Sequence, residues 1–89
     1  MATISSNPRW SPVVIRLAVS DDELALRRLA QLDSARPLAG QKLLAEYGGS
    51  LVAAVSMTDG SAIADPFRTT ADTVELLRLR AAQLERAAA

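Results

Sequence analysis

VVIRLAV, residues 13–19, is short, apolar and rich in β-branched residues, and predicts a strand. Alternation puts Val13, Ile15 and Leu17 on one face and Val14, Arg16 and Ala18 on the other. SDDE follows. Ser20 with Glu23 three positions later forms a capping box, and Asp21, Asp22 and Glu23 fall in the first turn, where the helix dipole favours acids. The helix predicted from about Asp21 to Asp33 carries Ala25, Leu26, Leu29 and Leu32 on one face, with Arg27, Arg28 and Gln31 on the other. Pro37 and Gly40 in SARPLAGQ end that pattern, and the segment reads as a surface loop.

Between Lys42 and Asp65, three apolar runs are separated by Gly48-Gly49 and by Asp59-Gly60, dipeptides that supply the positive φ angles of tight hairpin turns. They predict strands near 42–47, 50–57 and 61–65 in an antiparallel meander. The middle one, LVAAVSM, is apolar on both faces and belongs inside the sheet. Pro66 ends the last strand, whose outer edge is expected to be open. Thr69 or Thr70 can cap a second helix beginning near Ala71, with Asp72 and Glu75 early and Arg78, Arg80 and Arg86 late. Val74, Leu77, Ala81 and Leu84 make its packing stripe, and Leu76 and Leu79 lie off it.

Strand, helix, three-stranded meander and helix together predict a small α+β (mixed α/β) domain whose helices cover the sheet. Residues 1–12 carry Pro8 and Pro12 and no periodicity, and read as a flexible N-terminal arm anchored by Trp10. Residues 13–89 are the single domain.

Charge and composition narrow the function. Ten basic and ten acidic residues cancel, so nothing marks a nucleic-acid or anionic-membrane surface. Trp10, Tyr47 and Phe67 are the only aromatics, too few for a base-stacking platform. Cysteine and histidine are both absent, which excludes thiolate chemistry, zinc–sulfur sites and the usual proton shuttle. Acid–base chemistry would therefore rest on carboxylates, Tyr47, Lys42, a terminal group or water. No apolar run approaches the roughly 20 residues of a membrane span, and the opening residues do not form a secretory signal. A cytoplasmic location is the expectation. The excess of Arg over the single Lys42, with abundant Ala, fits a GC-rich bacterial genome.

IRLA at 15–18, the acidic cap at 21–23 and AEYGGSLVA at 45–53 resemble the N-terminal part of the GNAT-type N-acetyltransferase superfamily. ADPFRTTADTVELLRLRAAQL, 64–84, also resembles the end of a group of small actinobacterial proteins of unassigned function. GNAT proteins hold the pyrophosphate of acetyl-CoA with a loop of the form Q/R-x-x-G-x-G/A before a helix. The resemblance lays Arg68 on its first position, Ala71 on the first glycine, Thr73 on the second small residue, and Leu76 and Leu77 on the helix aliphatics.

The match is degenerate. Ala71 and Thr73 fill space that glycine leaves for the phosphates, and Asp72 sets a like charge beside any bound anion. At an effective dielectric near 20, that repulsion is roughly 4 kcal/mol at about 4 Å. The later strands that complete the family's groove have no counterpart. The resemblance thus implies a GNAT-like domain without catalysis and without cofactor, acting as a homodimerising interaction module, with a further protein partner possible. Trp10, Leu76, Leu79 and Leu84 are its interface candidates. The alternative is an acetyl-CoA-dependent N-acyltransferase whose groove a second subunit completes. It would use Arg68, Ala71, Asp72 and Thr73 at the cofactor and Glu46 or Tyr47 as base.

Overall fold

The computed structural model describes residues 13–88. The reading of 1–12 as an arm, and of Trp10 as its anchor, lies outside them. The chain runs β1 (Val13–Leu17), a 3-10 turn (Ser20–Asp22), α1 (Glu23–Leu32), β2 (Lys42–Tyr47), β3 (Ser50–Ser56), β4 (Ala62–Ala64) and α2 (Ala71–Ala88). The four strands form one antiparallel sheet in the order β1-β2-β3-β4. This is the α+β architecture that the hydrophobic pattern predicts, with β3 interior and buried along most of its length.

The helices take opposite faces. Leu26, Leu29 and Ala30 of α1 pack on Leu44, Ala54 and Ile63. Leu77 of α2, with Val74 and Ala81 beside it, packs on Leu43, Ala45, Val52, Ala53 and Val55. Two small cores therefore share one sheet, which is why β3 and the Leu43–Ala45 centre of β2 are apolar on both faces. The expected stripe of α1 is shifted: Ala25 is exposed, Leu32 is largely exposed, and Ala30 is buried in their place. On α2 the stripe holds for Val74, Leu77 and Ala81, while Leu84 remains 39% exposed.

Alternation breaks once. Ala45 pairs with Ala53 but Glu46 pairs with Leu51, so Val52 is an extra residue in β3. Val52 and Ala53 both face α2, whereas Leu51 packs with the α1 core. A bulge of this kind bends its strand and increases the local twist. It lies beside the start of α2.

The entry to α1 also differs from expectation. Ser20 and Glu23 do not exchange the reciprocal bonds of a capping box. Instead Asp22 accepts the Val19 N–H at 2.7 Å and both terminal nitrogens of Arg16, at 2.8 and 2.7 Å. A carboxylate two residues after Ser20 satisfies the turn better because it also meets a guanidinium from β1.

Candidate functional site

At the bulged end of the sheet, a cleft of about 360 Å³ opens between the strands and the start of α2. Val13, Tyr47 and Val52 form its floor, and Arg68, Thr69, Thr70 and Thr73 its rim. Each part has a local cause. Tyr47 ends β2 just before Gly48 and Gly49, which turn the chain with φ of 60° and 84°. Pro66 stops β4, and the loop that follows must climb from the sheet to the helix.

Asp65 organises that climb. Its N–H donates to the Val52 carbonyl at 2.9 Å, its Oδ1 accepts the Phe67 N–H at 2.8 Å, and its carbonyl accepts the Arg68 N–H at 3.2 Å. The other carboxylate oxygen stands 3.6 Å from Arg68 Nε. Arg68 then lies over Tyr47, its guanidinium carbon 5.8 Å from the ring centroid, within reach of a cation–π attraction. α2 begins with the Val74 N–H donating to the Thr70 carbonyl at 2.9 Å, which makes Thr70 the cap residue. Neither Thr70 nor Thr69 places its hydroxyl on the first-turn amides among the described residues, so the cap is made by backbone alone. Phe67, at the crest of the loop, is 81% exposed.

The candidate residues divide. Tyr47, Arg68 and Thr73 meet at the cleft. Ala71 and Asp72, on the exposed side of the first turn, do not line it. Glu46 is on the other face of β2, where its carboxylate lies 3.1 Å from Arg16 Nη2. Adjacent strand residues point to opposite faces, so Glu46 and Tyr47 cannot serve one centre from this strand. Leu76, Leu79 and Leu84 are all exposed on α2.

Sequence reasoning missed two contributors. Asp65, which the sequence places only at the end of the strand predicted over 61–65, is also the counter-ion of Arg68. Val52 reaches the cleft floor only through the bulge, which leaves no mark in a run that is apolar throughout.

The strongest electrostatic cluster is elsewhere, under the 3-10 turn. There Arg16 bridges Asp22 and Glu46. The Arg16 hydrogen bond, followed by that from the Val19 N–H, pushes the Asp22 carboxyl down to about 2. The same bonds to Asp22 and then Glu46 hold the Arg16 guanidinium above its usual range. This triad fastens β1 and β2 to the start of α1, and it faces away from the cleft.

Chemically, the cleft offers a guanidinium, a phenol and three threonine hydroxyls, with no carboxylate lining it among the described residues. No group of metal-ligating side chains occurs among the described residues, and no helix there is long and apolar enough to cross a membrane. No protein-family model, curated protein or solved structure matches this chain.

Proposed function

We propose that this chain is a degenerate GNAT-like domain without catalytic activity that works in the cytoplasm as a homodimerising interaction module. The observation that carries this reading is the position of Arg68. Among the described residues it is the one cation at the cleft, and it pairs with Asp65 at 3.6 Å and lies over the face of Tyr47. An incoming pyrophosphate would have to compete with Asp65, a carboxylate of the same loop. Ala71 and Thr73 carry side chains where a phosphate loop has glycine. Glu46 is occupied by Arg16 on the far face, which takes one of the two candidate bases away from the cleft. The exposed leucines 76 and 84 supply apolar surface for a second copy, and Leu79 for a further protein partner.

A second reading is favoured by the cleft itself. Tyr47, Arg68 and the start of α2 converge around about 360 Å³, the volume scale of a small-ligand site. In that reading the domain is an acyl-CoA-dependent N-acyltransferase whose groove is completed by a second subunit.

Calorimetric titration with acetyl-CoA, with the mass in solution measured on the same sample, separates the two. A folded dimer with no heat at millimolar ligand supports the interaction module. Saturable micromolar binding that Arg68→Ala abolishes would establish the acyltransferase reading instead.

A further inference from the structure

Building on the homodimeric reading, we propose that the second copy docks along the outer edge of β1. A two-fold axis at Ile15 would join the two four-stranded sheets into one continuous antiparallel sheet.

The main chain of β1 is the first argument. The Ala18 N–H donates to the Lys42 carbonyl at 2.9 Å, and bonding groups alternate along an antiparallel pair. Val14 and Arg16 therefore turn their N–H and C=O toward β2, while Val13, Ile15 and Leu17 turn theirs outward. An edge of this kind accepts another extended strand. The protections usual on edge strands are missing from Val13–Leu17, which holds no proline, lysine or bulge. Its one charge is not bare, because Arg16 is already bound to Asp22 and Glu46 of its own chain. The axis thus brings no bare guanidinium to the seam, and each Arg16–Asp22–Glu46 cluster carries one net negative charge.

The opposite edge is shorter and partly closed. β4 is three residues long, and the Asp33 carboxylate already accepts the Ala64 N–H at 3.1 Å.

Side chains around the proposed axis are self-complementary. Antiparallel pairing about Ile15 sets it against Ile15 of the second copy, Val13 against Leu17, and Val14 against Arg16. On the α2 face, Val13 shares a cleft with Thr73, and Leu17 shares another with Leu84. Leu76, one turn beyond Thr73, continues that flank of the helix. Val13, Leu17, Leu76 and Leu84 are each 39–42% exposed and Val14 is 48% exposed. Over two copies these side chains supply on the order of 600 Å² of apolar surface. The paired backbones add toward the roughly 1,000 Å² that marks a specific interface.

The test uses the full chain, whose lack of cysteine makes single substitutions specific reporters. Across the axis, the two Val14 side chains lie diagonally on one face, about 7–8 Å apart, within reach of a short bis-maleimide. Leu79→Cys on the outer side of α2 and Ser61→Cys beside β4 are the comparisons. The expected result is a dimeric mass for the unsubstituted chain and covalent dimer from Val14→Cys in at least tenfold greater yield than from either comparison. Leu17→Lys is expected to weaken the dimer at least tenfold with unchanged circular dichroism. A dimer that cross-links through Leu79→Cys or Ser61→Cys but not Val14→Cys overturns the β1 interface and leaves the homodimeric reading standing. A monomer at every concentration overturns both.

Discussion

Asp33 and Ala64 are 31 residues apart in sequence, yet the carboxylate at the end of α1 accepts the main-chain N–H of the last strand at 3.1 Å. The open edge expected after Asp59-Gly60 is thereby partly closed by a side chain from the helix that covers it. A carboxylate here acts twice: it satisfies a donor pointing away from the sheet, and it sets a negative charge where another strand would have to approach.

Removing that carboxylate separates its two roles. Asp33→Ala is expected to cost about 1 kcal/mol, below the roughly 1.5–3 of a hydrogen bond to a charged group because the site is half exposed to water. Urea denaturation measures the loss. Light scattering over a concentration series should show new self-association through the uncovered edge, whereas Asp33→Asn should retain part of the bond and associate less.

α2 is attached through one fully buried side chain. Leu77 has no exposed surface, and Leu79, two residues on, is 53% exposed. Leu77→Ala is expected to destabilise the fold by about 2–5 kcal/mol, and Leu79→Ala by less than about 0.5 kcal/mol in the monomer. Denaturant midpoints of the two variants, compared at low protein concentration, check the contrast. A similar loss for both would mean that the outer side of the helix is also buried in solution.

Acid should weaken the join between β1 and α1 in a defined window. The folded-state pKa of Asp22 is lowered from 3.8 to about 2 by the Arg16 and Val19 hydrogen bonds. A depressed carboxyl binds its proton more readily in the unfolded chain, so its stabilisation is complete above the unfolded value. It is lost as pH falls from about 4 toward about 2. Stability measured against pH should therefore drop more steeply through that window in the natural chain than in Asp22→Asn. Equal slopes would refute the assignment.

Gly40 tests the loop before β2. Its φ is +68°, and a methyl group there would run into the Thr58 hydroxyl across the loop. Gly40→Ala is expected to cost more than the roughly 1–2 kcal/mol of the left-handed backbone alone. Gly49→Ala, also at positive φ but facing open space, should stay within that cost. Adding Thr58→Ala to Gly40→Ala should recover the excess in a melting experiment.

Which features could be seen before folding follows from the range of the forces that set them. Gly48-Gly49, Asp59-Gly60 and Pro66 act on their own φ and ψ angles, so the turns and strand limits fell within a residue or two of their expected places. The start of α2 at Ala71 was equally local. The separation of Glu46 from Tyr47 was also written in the strand period, since neighbours in a strand point apart.

Other features depend on contacts between segments far apart in the chain. The assignment of α1 to one face and α2 to the other rests on which of two apolar surfaces each helix met, and β3 is apolar on both. For the same reason no polar residue records the slip at Val52 that brings it under Arg68 and the threonines. Ser20 looked like the cap of α1, but Arg16 on β1 drew Asp22 into that position by offering it a second partner. Asp33 found Ala64, and Asp65 found Arg68 over Tyr47, only after the sheet and helices had packed. Local sterics were enough to order the elements. The cleft, the capped edge and the open edge required packing, because each is built from groups that only the folded chain brings together.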